Sequence, residues 1–210
     1  VVCMSMEVQP CGIPIMDQSL RQPLTVAADN QRVSTIPTRL IRVEGDTGSR
    51  REAESFVSNA FADRYRARIS EFPRCLMGLR SSSGEWVAVA GLRFASAAQL
   101  FLEQYLDGPV ESYLDPGVAT QRATIVEIGS LAAAQPGQVR YLMIALATYL
   151  HSAGYRWVAC TAIHSLRNTM ARMGLTPIVL GMADPSRLGS ASTAWGASSA
   201  ARPRGARAAP

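Results

Sequence analysis

The stretch 123-ATIVEIGSLAAAQPGQVRYLMIALATYLHSAGYRWVACTAIHSLRNTMARMGLTPIVL-180 decides the fold. Its opening, ATIVEIGSLA, is a run of β-branched and apolar residues holding one acid, Glu127. A break at AAQPG follows, and then QVRYLMIALATYLHSAG carries apolar residues at helical spacing up to Gly154. RWVACTAI reads as a second strand, SLRNTMARMG as a second helix ending at Gly174, and TPIVLG as a third strand. Strand, helix, strand, helix, strand is the alternation that builds an α/β layer. The acid in a strand ahead of a helix N-terminus makes the first strand-to-helix junction the place to look for function.

Outward from that stretch, the chain reads as a single domain with tails. At 210 residues it is long enough to bury a sizeable core. Residues 1–36 mix Pro, Gln, Ser and Asp without periodicity and are expected to form an arm. The domain is expected over 37–182, beginning with a short strand in TRLIRVEG. From Ser49, Ala53, Phe56, Val57, Ala60, Phe61, Tyr65 and Ile69 recur at three and four, the signature of an amphipathic helix that Pro73 forbids from continuing. CLMGLRSSSGEWVAVAGLRFA then reads as a hairpin, with Gly91 marking a bulge or a close backbone approach. AAQLFLEQYL reads as a short helix stopped by Gly108 and Pro109, and Val110 to Gln121 as a loop placed to frame a substrate pocket. Residues 183–210 are rich in Ala, Ser, Gly, Arg and Pro and form a low-complexity tail in which Trp195 alone is suited to dock on the domain.

Composition excludes several classes of function. The chain has no lysine, so its 21 basic residues are all arginine and Schiff-base chemistry on a lysine amine is ruled out. The net charge of +5 is mild and partly concentrated in the tail. No arginine-dense, aromatic-interleaved patch of the nucleic-acid-binding kind is present, while acidic partners such as an acyl carrier protein remain compatible. Cys3, Cys11, Cys75 and Cys160 show neither CxxC nor metal-ligand spacing, which fits a reducing cytoplasm and no metal site. The longest apolar run, around Tyr141 to Leu150, is too short to span a bilayer, so stable membrane insertion is not expected.

The order of elements resembles the GNAT-type N-acyltransferase fold, and in particular its acyl-homoserine lactone synthase relatives. More closely, the chain resembles the bacterial thermostable haemolysin family over roughly residues 50–196. That likeness rests on Phe56-Val57, Phe61-Ala62 and Tyr65, on Ala90 to Arg93, on LFLEQYL from Leu100, and on Pro109-Val110-Glu111. It continues through Ile125 to Gly129, Leu131 to Ala133, and Leu166-Arg167-Asn168. The resemblance implies an α/β (α+β) single domain, a mixed and splayed central sheet flanked by helices, and a monomer or homodimer. It implies acyl transfer from a pantetheine thioester, carried by acyl carrier protein or coenzyme A as co-substrate, to an amine or hydroxyl of a small acceptor. No tightly bound cofactor is implied. The family name itself offers a second reading, a membrane-active haemolysin, and a degenerate domain that binds a thioester without chemistry is a third.

Departures from the pattern are specific. The GNAT phosphate-binding loop runs Gln/Arg-x-x-Gly-x-Gly/Ala, but counting from Gln135 this chain places Gln138 and Arg140 where the glycines belong. Gly137 is displaced, and only glycine lets backbone amides approach a phosphate closely. The lactone-synthase Glu-x-Ser-Arg-Phe pattern falls on Glu127 to Leu131, with Gly129 and Ser130 in place of serine and arginine.

Candidate site residues follow. Glu127 shares a strand face with Ile125 and Gly129 and reads either as a general base for an attacking amine or as a carboxylate paired with Arg93 or Arg122. Tyr105 is placed to protonate a leaving thiolate, and Glu103 either binds an acceptor amine or faces water from a packed helix. Arg93 reads as a bidentate clamp for an acceptor carboxylate or as the partner of Glu127. Arg122, Ser130 and Asn168 complete the substrate set that the resemblance implies. Leu131 and the amides of Gln138, Val139 and Arg140, which open a helix, form the cofactor-facing set.

Overall fold

The computed structural model describes residues 1–5, 38–69, 71–114, 119–184 and 186–188. Within them lie β1 (Val2–Ser5), β2 (Thr38–Val43), α1 (Gly48–Tyr65), β3 (Cys75–Ser81), β4 (Trp86–Phe94) and β5 (Ile125–Ala133). The chain continues through α2 (Gln138–Ser152), β6 (Trp157–Cys160), α3 (His164–Arg172) and β7 (Ile178–Val179). The strands make one mixed sheet in the order β2-β3-β4-β5-β6-β1-β7. Only the β5–β6 pair is parallel, because α2 carries the chain back across the sheet between them. This is the splayed, helix-flanked α/β architecture expected from the sequence.

Two apolar faces hold the sheet. Leu142, Leu146 and Leu150, four residues apart on α2, are fully buried against Leu92, Ala88 and Val126. On the opposite face α1 presents Ala53, Val57 and Phe61 to Val43, Leu76, Val89 and Ala132. Each large side chain buried in this way contributes about 1.5–3 kcal/mol. Farther along that second face, Leu100, Leu102, Val110 and Leu114 pack on Ile125 and Ala159. Thr47 caps α1 by accepting the Arg50 N–H, and Arg66 ends it in the left-handed region at φ 53°.

Several expectations are corrected. The arm expected over 1–36 begins as a strand: Val2 lies opposite both Cys160 and Val179, so β1 is inserted between β6 and β7. Its partners are more than 150 residues away, and nothing local in five residues announces such pairing. Residues 6–37 and Trp195 lie outside the described residues. The helix expected in AAQLFLEQYL is a 3-10 turn over Phe101–Tyr105. The loop from Val110 holds a further 3-10 turn, Val110–Tyr113. The strand expected in TPIVLG shrinks to two residues.

Gly91 meets the close-approach reading, and the bulge expected at it lies instead on the facing strand β5. A Cβ on Gly91 would sit 2.6 Å from Pro73 Cγ, and the β4–β5 register slips between Val89 and Gly91. Val89 faces Ala132 and Gly91 faces Gly129, so Ser130 and Leu131 together oppose Ala90. That two-against-one count is a β-bulge on β5. Ser130 carries the irregularity, with φ at 47°. The side-chain alternation slips accordingly. Val126 and Ile128 pack on the α2 face before the bulge, and Leu131 and Ala133 pack on it afterwards.

Candidate functional site

The N-terminal half of β5 carries Glu127, 2 % exposed. Alternation turns it to the face shared with Ile125, as the sequence implies. There the 3-10 turn Phe101–Tyr105 presents its first amides. Phe101 N–H donates to Oε2 at 2.7 Å and Leu102 N–H to Oε1 at 3.0 Å. Arg93 Nη1 stands 4.0 Å from the same carboxylate, beside Gly129. Arg93 also lies over the Phe101 ring, 5.5 Å from its centre. Burial pushes the Glu127 carboxyl up from its usual range, against the opposing pull of Arg93 and the two amides. Both oxygens are therefore committed to holding a loop on the sheet.

Glu103 is a correction. It neither faces water nor offers a free carboxylate to an acceptor amine. Its Oε2 accepts from Leu100 N–H at 2.8 Å and from Arg122 Nη2 at 2.9 Å. Its Oε1 accepts from Val110 N–H at 2.9 Å and from Arg122 Nη1 at 2.7 Å. Burial opposes its ionised form, but Arg122 and the Val110 and Leu100 amides outweigh it, and the pKa is lowered. Arg122, expected among the substrate-binding residues, is spent on the same network. It also reaches Glu111 at 2.7 Å and the carbonyls of Ala95 and Ala98. Four donors on one carboxylate saturate it.

Tyr105 is buried beside this network, and burial, then the Glu127 charge, raise its pKa, so the phenol stays protonated near neutrality. It lines a pocket of about 280 Å³ with Leu106, Tyr113, Leu180 and Asp184. A second pocket, about 480 Å³, is framed by Gln99, Glu103, Pro109, Glu111 and Arg122, which places the Val110 segment beside a cavity as expected. Both pockets are open and lie on the carboxylate side, and neither is lined by the start of α2.

The second half of β5 is a different environment. β6 pairs with Ile125 to Ile128 and then ends at Cys160, so from Gly129 onward no strand pairs with that edge of β5 among the described residues. Ser130 stands at this parting, 6 % exposed, with its Oγ buried and without a hydrogen-bond partner. Leu131 packs partly buried on the α2 side. After Ala133 the chain turns through Gly137, left-handed at φ 87°, into α2. Of the three amides expected to receive a ligand there, Gln138 N–H already donates to Gln135 O and Arg140 N–H to Gly137 O, both at a long 3.3 Å. The Gln138 side chain accepts from Gln135 N–H at 2.9 Å.

The structure thus brings Arg93, Glu103, Tyr105, Arg122 and Glu127 together on one face. It sets Ser130, Leu131 and Gln138 to Arg140 along the parting of β5 and β6. Asn168 joins neither group. It is exposed on α3, its amide 3.2 Å from His164 Nδ1, and α3 packs through Met170 with Met143 of α2 on the opposite face of the sheet. Glu111 and the Leu100 to Leu102 amides are partners in this network that sequence reasoning missed. Glu103 three residues after Leu100, in the pattern of a side chain reaching back to a helix start, was their available signal. Among the described residues no His, Cys, Asp and Glu group is arranged to hold a metal ion, and no helix is long and apolar enough to cross a membrane.

Sheet, parting strands and flanking helices define a GNAT-like α/β domain. The chain belongs to the family described as thermostable hemolysin, whose model matches residues 43–205. No curated protein sequence matches it. Among solved structures it is similar to TofI in an apo form, at 19 % identity and a TM-score of 0.50, over 68 % of this chain and 81 % of that one. TofI in a ternary complex with an inhibitor and MTA aligns at 17 % identity and a TM-score of 0.49, over 68 % and 82 %. L-PGS from Bacillus licheniformis aligns at 15 % and 0.37, over 58 % and 34 %. The likeness to apo TofI bears on the fold.

Proposed function

We propose that the chain is an acyltransferase moving an acyl group from a pantetheine thioester to an amine or hydroxyl of a small acceptor. The observation that carries this reading is the parting of the parallel pair β5–β6 after Ile128 and Cys160, which among the described residues leaves one edge of β5 unpaired beside the start of α2. An extended pantetheine arm fits such an edge, because unpaired strand amides and carbonyls are what an amide-bearing chain can bond.

The reaction needs little else. The acceptor nitrogen attacks the thioester carbonyl carbon, a C–N bond forms, the C–S bond breaks, and the sulfur leaves as a thiol after taking up a proton while the nitrogen loses one. Tyr105, held protonated by burial, supplies the proton to sulfur and is recharged from the acceptor nitrogen. Arg93, 24 % exposed at its side chain, is the guanidinium open to an acceptor carboxylate. Glu127 positions Arg93 and the Phe101–Leu102 segment rather than acting as the base. The family name favours a second reading, membrane lysis by the protein itself.

Incubating the protein with acyl thioesters of graded length and a pool of amines, with intact-mass detection of products, tests the proposal. The expected result is thioester-dependent acylation, faster by about tenfold in kcat/KM on acyl carrier protein than on coenzyme A, since glycines are missing from the phosphate loop. No acyl product on any donor, together with dye release from anionic liposomes in the absence of thioester, selects membrane lysis instead.

A further inference from the structure

Among the described residues, two buried side-chain atoms have no hydrogen-bond partner, Trp86 Nε1 and Ser130 Oγ. The first belongs to a ring packed in the α1-side core beneath the Arg80 guanidinium, 4.1 Å from its centre, on regular strand backbone. The second stands on irregular backbone. A buried hydroxyl without a partner is unfavourable, and Ser130 adds a left-handed backbone, φ 47°, which a residue with a Cβ adopts at a further penalty. Glycine would remove both penalties. Unfavourable backbone and polar features persist together where the surrounding structure holds them for use.

Position says what the use is. Ser130 is the bulged residue of β5, two residues past Ile128, where the β6 pairing stops. Its hydroxyl is shut off from the surface, has no protein partner among the described residues, and lies next to the strand edge assigned to the thioester arm. Charge develops on the thioester carbonyl oxygen as the C–N bond forms, and a fixed donor in a water-poor site stabilises such an oxyanion far more than water does.

We propose that the Ser130 hydroxyl donates its hydrogen bond to the carbonyl oxygen of the acyl thioester, an inference that rests on the acyl-transfer reading above. In the free protein the hydroxyl waits unsatisfied, and the substrate completes it. Removing it therefore affects turnover and spares the fold, the reverse of what a structural hydroxyl does.

The test compares wild type with Ser130→Ala, Ser130→Gly and Ser130→Asn in the full chain. Readouts are thermal midpoint, kcat and KM on an acyl-pantetheine thioester, and the midpoint shift given by its ketone analogue, in which CH₂ replaces sulfur and the carbonyl is kept. Ser130→Ala is expected to hold its midpoint within about 2 °C and lose about 10²-fold in kcat with KM little changed. Ser130→Gly should be at least as stable as wild type and equally slow. Asn tolerates the left-handed backbone and supplies an N–H donor, so Ser130→Asn should recover part of the rate. Wild-type turnover by the Ala and Gly variants overturns the role of the hydroxyl while leaving the acyltransferase reading intact. A large fall in the Ser130→Ala midpoint overturns it too, by showing that the hydroxyl is structural. Wild-type protein that neither turns over the thioester nor is stabilised by the ketone overturns both. If wild type is stabilised by the ketone without turnover, and Ser130→Ala loses that shift, the hydroxyl is a carbonyl receptor and the catalytic reading falls.

Discussion

Glu127 and Ser130 lie three residues apart on one strand, and their surroundings are opposites. Glu127 is a buried carboxylate with both oxygens on backbone amides and a guanidinium alongside, and behind it Glu103 has four donors of its own. Ser130 is buried too, and its hydroxyl has no hydrogen-bond partner among the described residues. The first half of β5 is braced and the second half is open. The difference teaches that the most conspicuous acids in this chain serve as struts, fastening a stretch with little regular structure to the sheet. The proposed ligand contact falls instead on the neighbour without a partner.

The largest effect should come from breaking the braced region at its centre. Glu103→Ala leaves the buried Leu100 and Val110 amides without their acceptor, while Arg122 keeps Glu111 and the Ala95 and Ala98 carbonyls. A loss of about 1–3 kcal/mol for each orphaned amide is expected, read from urea denaturation, against almost none for Ser130→Ala. Equal losses in the two variants would erase the contrast between the halves.

Glu127→Gln sharpens the same comparison at smaller scale. A carboxamide accepts on one atom only and turns its NH₂ toward an amide donor, so a loss of about 1–3 kcal/mol is expected. Unchanged stability with a kcat reduced by about 10²–10⁴-fold and partly rescued at high pH would reinstate Glu127 as the general base.

The two acids should also separate with pH. The Glu103 pKa is lowered on folding, so its contribution is present above the usual 4.5 and fades as pH falls through the folded-state value. The Glu127 pKa is raised, so its contribution is present below 4.5 and fades as pH rises through the folded-state value. Stability of wild type relative to Glu103→Gln should therefore shrink in acid, and relative to Glu127→Gln should shrink as pH rises. Parallel curves for the two would mean that the acids share one environment.

Much of this was legible in the sequence where local pattern and tertiary need agree. The β5-α2-β6 alternation, the hairpin turn at Gly84 and the face shared by Ile125, Glu127 and Gly129 all follow from periods of two and 3.6. The strand at Val2–Ser5 was not, because its pairing with Trp157–Cys160 is a long-range fact with no local trace. Nor was the fate of Glu103. A helix reading of LFLEQYL sends its acid to water, but a 3-10 turn seated on the sheet sends it inward to Arg122, nineteen residues away. Ser130 was visible as a residue, and its weight was not. A bulge shows only in the register between β4 and β5, and an orphan hydroxyl shows only once every neighbour has been placed.

Amide hydrogen exchange on the full chain, with and without the uncleavable ketone analogue of an acyl-pantetheine thioester, tests most directly whether the open half of β5 receives the donor. The account predicts new protection at Gly129–Ala133 and in the first turn of α2 from Gln138 to Arg140, with any change on the carboxylate side limited to the residues next to Tyr105, the proton donor to sulfur. Protection confined instead to Gln99–Tyr113 and Leu180–Arg187, around the two pockets on the carboxylate side, would contradict it.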